Sequence, residues 1–436
     1  RTPEGWVQRG SVVLPAPVAA GDLEVDPDVV LALEDIPGNE YPRKHTVYLN
    51  YTGGMLYSGG DNSAESRSSL AKQGPYPVFE GGEAKAIAAA QETANDVAQF
   101  GIQVVYLERP PKVLPYTMVM IGGDWTDTNL EDAAAGVAPG TDCGALGQRH
   151  VVYTFASGGW SATAISNVNA QEAGHAWGLD HSLNCDSVMS YCGGGDLYYS
   201  STCDGLCEAS CQGAAGCRLF HEDFCGVGAD QQNEVEELSF IYGGNEPDLE
   251  PPLVDIVSPE DGAMIEEGGD VDLRVVVDDD YGGYGWRFVI THEGEVLYDQ
   301  PDYDREVDDE YRAALNLEGL EPGNYEIMVE AVDHYGHSTM DVVTFNVGGE
   351  VMPPEGGTDE TGGGSGDEGS GSGTMGGPLD EEGSGSGTEG DTAADSGAAV
   401  DSEDGCACRA GDRGGQGGAA VFGFLGLLGL VRRRRA

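Results

Sequence analysis

Gln171-Glu172-Ala173-Gly174-His175-Ala176-Trp177-Gly178-Leu179-Asp180-His181, with Ser187-Val188-Met189-Ser190-Tyr191 close behind, decides how the rest of the chain is read. A helix over Ser161 to Trp177 puts positions 171 and 175 on one face, so Gln171 and His175 can converge on a single ion. Glu172 is offset from that pair and placed to act on water beside the ion. Gly178 lets the chain leave the helix through a positive φ, and His181 can then return as a third ligand. Zinc held by three protein groups keeps a fourth position for water and lowers that water's pKa towards ~7. A carboxylate beside it can take the proton and later hand it to a leaving amine.

The pattern resembles the zinc signature of the metzincin metalloproteases, H-E-x-x-H-x-x-G-x-x-H with a downstream Met-turn, with Gln171 standing where the first histidine belongs. The resemblance spans about residues 43–244. It implies an α+β fold, with a mixed sheet and a zinc helix, and Gln171, His175 and His181 as ligands to Zn2+. It also implies Glu172 as general base, Tyr191 as stabiliser of the developing oxyanion, Gly178 and Met189 as structural residues, and a protein or peptide substrate. Ser182 after the third ligand is similar to the matrixins, whereas Met189-Ser190-Tyr191 is similar to the astacin and serralysin Met-turn, so only the clan is named. A neutral amide oxygen is a poorer zinc donor than imidazole. Two readings therefore stay open: a zinc endopeptidase with weakened metal binding, or an inactive scaffold that only binds.

Upstream, His45 to Tyr51 alternates β-branched and aromatic residues and predicts a strand. Glu83 to Phe100 predicts a long helix stopped by Gly101, and Ile102–Leu107, Tyr116–Ile121 and His150–Phe155 predict further strands. Residues 1–42 are rich in Pro, Gly, Asp and Glu with short apolar patches, as in a pro-segment or an unstructured leader. The start at Arg1 without an apolar leader is expected to reflect removal of a signal peptide. No cysteine precedes Cys143, so a cysteine-switch latency like that of the matrixins is not expected.

Eight of the ten cysteines, Cys143, Cys185, Cys192, Cys203, Cys207, Cys211, Cys217 and Cys225, cluster among glycine-rich turns and predict disulfides in an oxidising compartment. The rival reading is a second zinc site from Cys203, Cys207, Cys211 and Cys217. From Met189 to Cys225 the sequence reads as loop. The 436 residues carry 76 acidic against 21 basic side chains, a formal charge of −55 that excludes nucleic acid as a natural partner.

Downstream, Ala229 to Tyr242 returns to helical spacing, and residues 245–252, a proline-rich stretch after Gly243-Gly244, form a linker. Residues 253–348 show short alternating strands separated by turn signals, which predict an antiparallel β-sandwich. Leu320 to Tyr325 followed by Val332-Asp333 resembles bacterial immunoglobulin-like modules. Asp278-Asp279-Asp280 before Tyr281-Gly282-Gly283 offers carboxylates for Ca2+, with an acidic turn as the plain alternative. His45, His150, His221, His292, His334 and His337 lack ligand spacing and default to surface or core roles. Only His150 is a candidate substitute ligand. Residues 349–404, Gly, Ser, Thr, Asp and Glu with almost nothing apolar, predict a disordered acidic stalk. In 405–436, Cys406-Ala407-Cys408 precedes a thirteen-residue apolar run, Ala419–Val431, and Arg432–Arg435. The run falls short of the ~20 residues of a comfortable membrane span. The arrangement resembles the MYXO-CTERM sorting signal, which implies transient membrane attachment through the tail, a sorting protease as partner, and export to the cell surface or beyond. A plain C-terminal anchor is the other reading.

Overall fold

The computed structural model describes residues 6–9, 12–15, 42–106, 108–192, 194–207, 215–303 and 310–349. All belong to one of the two units into which the chain divides, Arg1–Gly349 with Cys406–Ala436; the other, Glu350–Gly405, lies outside the described residues. Cys211, the expected stalk and the expected sorting tail with Cys406 and Cys408 also lie outside them.

In chain order, β1 (Trp6–Arg9) and β2 (Val12–Pro15) pair as an antiparallel hairpin in the segment expected to be a leader. Then come β3 (His45–Asn50), β4 (Gly54–Ser58), β5 (Arg67–Ser68), β6 (Gly74–Tyr76), α1 (Glu83–Asp96), β7 (Ile102–Val105) and β8 (Thr117–Ile121). Next are β9 (Gly136–Val137), β10 (Val151–Thr154), α2 (Ala162–Ala176), β11 (Asp204–Gly205), α3 (Arg218–Cys225), β12 (Gln231–Gln232) and α4 (Glu234–Tyr242). The main sheet runs β7-β3-β8-β10-β9, parallel except for the antiparallel edge strand β9. Its strands are apolar on both faces because both are covered. Val47, Leu49, Val119 and Val152 face α1, α2 and α4, where the small Ala89, Ala90 and Ala173 let the helices approach closely. Tyr48, Met118, Met120 and Tyr153 pack instead under Leu56, Ala64 and Tyr76 of the β4–β6 segment.

Three elements depart from the sequence reading. The helix expected to reach Phe100 stops at Asp96 and gives way to tight turns, Ala98 N–H donating to Asn95 O (3.2 Å) and Phe100 N–H to Val97 O (3.0 Å). The helix expected from Ala229 begins at Glu234, because Gln231–Gln232 pairs with Asp204–Gly205 and Asn233 caps the first turn by accepting from Glu236 N–H. The stretch read as loop up to Cys225 contains α3, flanked by the half-cystines Cys217 and Cys225.

The remaining strands are β13 (Leu253–Ser258), β14 (Ala263–Ile265), β15 (Val271–Asp278), β16 (Gly285–His292), β17 (Glu295–Tyr303), β18 (Glu310–Leu317), β19 (Gly323–Val332) and β20 (Ser338–Val347). They form a β-sandwich of a three-stranded sheet, β13-β15-β18, and a five-stranded sheet, β14-β20-β19-β16-β17. Alternation sets its core: Val271, Leu273, Val275 and Val277 point inward from β15 to meet Trp286, Ile327, Val329 and Phe345, while Asp272 and Arg274 face water.

The sandwich docks on the first domain through backbone. Arg43 and Gly282 form a β-bridge, Lys44 N–H donates to Gly282 O (2.9 Å) and Gly282 N–H to Pro42 O (3.0 Å). His334, read as surface or core, is buried in this seam, its Nδ1 accepting from Thr46 Oγ1 and its Nε2 donating to Gly283 O, both at 2.9 Å.

Candidate metal centre

Three local constraints build the centre. The first is Gly178, at φ +105°, where a Cβ would stand 3.0 Å from Asp142 O and 3.2 Å from the Cys143 Cα. Glycine is needed there for both its conformation and its size. The second is Met189, fully buried beneath α2; a Cβ on Gly174 would lie 2.6 Å from its Sδ. The third is the clamp on the returning strand. Asp180 accepts from Gly216 N–H and Cys217 N–H, both at 2.9 Å, and Cys217 is bridged to Cys143 on the far side of Gly178.

The turn so held brings His175 and His181 together, with their Nε2 atoms 3.1 Å apart. His175 Nδ1 lies 2.7 Å from Leu179 O and must donate to it, which leaves a lone pair on Nε2. Burial holds His175 below the ordinary imidazole range, and burial together with the neighbouring His175 pushes His181 down to about 3. Both rings are neutral at pH 7. Their facing nitrogens either share an N–H···N bond or converge on a cation. Ligand nitrogens ~2.0–2.1 Å from a tetrahedral zinc stand ~3.3 Å apart, close to the spacing found. The donor set therefore fits zinc on two of its corners.

Gln171 lies on the same face of α2, its Nε2 donating to Ser190 O in the turn after Met189 (3.0 Å). That bond leaves Oε1 as the amide's acceptor. Among the described residues, no third histidine, cysteine or carboxylate joins the pair to make a metal-ligand cluster. His150, the candidate substitute, has its Nε2 2.8 Å from Asp142 Oδ2 and joins no such cluster either. Tyr191 stacks on His181, ring centroids 4.2 Å apart, and is 49% exposed.

Glu172 is buried beside the edge strand β9. A Cβ on Gly136 would stand 2.6 Å from its Oε1. Burial pushes its carboxyl up to about 8, against a hydrogen bond from Ala138 N–H that pulls the other way. A cation on the adjacent histidines would lower it again.

Behind the centre, His221 sits between Asp180 (3.0 Å) and Glu237 (2.7 Å), all three side chains buried or nearly so. Burial opposes its charge, but hydrogen bonds to the two carboxylates prevail and raise it to about 9. Glu234, at the start of α4, accepts from Ser187 Oγ (2.6 Å) and Ser200 N–H (2.8 Å) and so ties the Met189 turn to that helix. Neither role was visible in sequence spacing, because the partners are 16 to 47 residues apart.

Of the eight clustered cysteines, six form the bridges Cys143–Cys217, Cys185–Cys192 and Cys203–Cys225, and Cys207 is also disulfide-bonded. With Cys203 and Cys217 in different bridges, the second zinc site does not form. Bridges of this kind belong to an oxidising environment. No helix among the described residues is long and apolar enough to cross a membrane.

No known protein family and no curated protein matches the sequence. Among solved structures, an engineered protein is similar over 22% of this chain and 20% of its own, at 20% identity and a TM-score of 0.17. The fibronectin(III)-like modules of Clostridium thermocellum CbhA are similar over 22% of this chain and 94% of theirs, at 19% identity and a TM-score of 0.17. Murine CRIg is similar over 22% and 95%, at 13% identity and a TM-score of 0.16.

Proposed function

We propose that the chain is a metzincin-type zinc endopeptidase acting on proteins or peptides outside the cell, with His175, His181 and, more weakly, Gln171 as metal ligands. The observation that carries this reading is the neutral histidine pair, oriented by Leu179 O and backed by Met189, with a buried carboxylate one residue along the helix from Gln171. Zinc, when bound, supplies Lewis acidity towards a carbonyl and an attacking water. Glu172 would take the proton from that water and return it to the departing amine, the general-base role open to a carboxylate beside the metal ligands. The outer edge of β9 is the end of the sheet, so an extended peptide can add to it as a further strand and run past Glu172. Tyr191, half-exposed and stacked on His181, is the candidate donor to the developing oxyanion.

A second reading has its own support. The Gln171 amide is already engaged by Ser190 O, as a purely structural side chain would be, and a two-histidine pair without a third ligand suits a surface binding protein on the same scaffold. Zinc content and casein cleavage separate the two. The peptidase binds one zinc and loses cleavage on chelation and on Glu172→Ala, the latter with its zinc retained. A protein that takes up no zinc, or cleaves equally well after Glu172→Ala, is not this enzyme.

A further inference from the structure

The seam between the two domains holds a second cluster of ligand-type atoms that the histidine centre does not involve. Asp248 comes from the linker, Asp279 and Asp280 from the turn after β15, and Asp333 and His337 from the β19–β20 hairpin. Oxygens of Asp248, Asp279 and Asp280 lie within 4.8 Å of one another, and so do ligand atoms of Asp248, Asp333 and His337. Asp248 is the member common to both groups. It is 1% exposed, and neither of its carboxylate oxygens has a hydrogen-bond partner among the described residues. Asp279 Oδ2 is likewise buried without a partner, its Oδ1 accepting from Asp280 N–H.

A buried carboxylate without a donor is among the most costly arrangements in a protein, and here three more carboxylates face it. Lys44 is the nearby cation, but its ammonium points to Gly244 O (3.0 Å) and over the Tyr281 ring (4.0 Å), and no ion pair joins it to a carboxylate among the described residues. His337 is turned to Asp333, Nδ1 to Oδ2 at 2.6 Å. We propose that Asp248, Asp279, Asp280 and Asp333 form a calcium site at the domain seam, Asp248 being the ligand shared by both sides of the cup. The donors are hard oxygens, as calcium requires, and within each of the two groups that share Asp248 the ligand atoms lie no further apart than 4.8 Å, inside the ~4.6–5.2 Å between oxygens on opposite sides of a calcium ion. Burial and mutual repulsion push Asp248 up to about 7 and Asp279 up to about 9, so an ion there relieves an existing strain of charge. Because the turn carrying Asp279 and Asp280 leads directly into Gly282, which pairs with Pro42 and Lys44, calcium in the cup would tighten the docking of one domain on the other.

The full chain, stripped with EDTA and melted with added CaCl2 at constant ionic strength, tests this independently of the peptidase reading. Saturating calcium is expected to raise the melting temperature by roughly 5–10 °C. Asp248→Asn removes one of the crowded charges, so without calcium it should melt at or above the wild type, and it should lose the calcium response. Asp280→Asn, on an exposed residue, should weaken calcium affinity at least about tenfold. No rise in the wild type, or an equal rise in both variants, would overturn the proposal and assign calcium to the acidic surface at large. A calcium response that persists in His175→Ala keeps this site apart from the histidine centre; its loss there would also count against the seam.

Discussion

In the proposed zinc site, Gln171 is the residue on which metal binding would turn. Its amide oxygen would stand where an imidazole nitrogen, a stronger donor to zinc, is expected. Gln171→His is expected to raise zinc affinity roughly ten- to a hundredfold, ~1.4–2.8 kcal/mol, measured by competition with a chelator. An unchanged affinity would mean that position 171 does not reach the ion. Gly136 makes a complementary prediction. A methyl there would collide with Glu172 Oε1 and Val168 Cγ1, both at 2.6 Å, and swing the carboxylate away. Gly136→Ala should keep its zinc and lose about a hundredfold in kcat, the usual cost of a catalytic group displaced by ~1 Å. Retention of full kcat would remove Glu172 from the proposed role. The helix spacing of 171, 172 and 175 and the turn at Gly178 were legible from the chain alone. The contact of Gly136 with Glu172 was not, since a two-residue strand between a run of alanines and Ala138-Pro139-Gly140 carries no periodic signal.

At the scale of elements, the His181 turn is held by a charged core that sequence spacing did not reveal. Asp180, His221 and Glu237 come from the turn, from α3 and from α4, and a lone histidine in a cysteine-rich stretch reads as nothing in particular. His221→Ala leaves Glu237 buried without its cation and should cost ~3–5 kcal/mol of stability. The pH dependence follows from the folded pKa of about 9 against 6.5 for a free imidazole. A raised pKa means that the folded state binds the proton more tightly. The contribution is therefore fully present below pH 6.5 and is lost as pH rises through about 9. Urea midpoints measured from pH 6 to 9.5 should fall with rising pH in the wild type and much less in His221→Ala. Equal slopes would show that the imidazole is not charged in the fold. The helix α3 was also hidden, because its eight residues are bounded by half-cystines and its single buried side chain is His221 itself.

For the whole molecule, the composition shifts near 43, 245 and 352 pointed to separate modules, and among the described residues the hydrophobic clusters before and after the linker share no residue. What composition could not reveal is how closely they dock. Pro42, Arg43 and Lys44 open the first domain's chain, yet Arg43 and Lys44 are buried under the turn Gly282–Gly283. Gly283 sits at φ +90°, and a Cβ there would stand 2.4 Å from Lys44 O; on Gly285 it would stand 2.1 Å from Val113 O. Such distances are possible only for glycine, and two of them at one seam make the approach of the domains a backbone-on-backbone contact. The chain should accordingly unfold its two domains in one calorimetric transition, because melting the sandwich exposes Arg43, Lys44 and His334 together. Gly283→Ala adds a methyl group that the seam cannot admit without moving Lys44, while the sandwich core of Trp286, Val329 and Phe345 lies elsewhere. The variant should keep both domains folded and resolve the single transition into two, with the first-domain melt lowered by several degrees, on the order of 1–2 kcal/mol. A variant that still melts in one unshifted transition would mean that the domains are coupled by something other than this glycine turn.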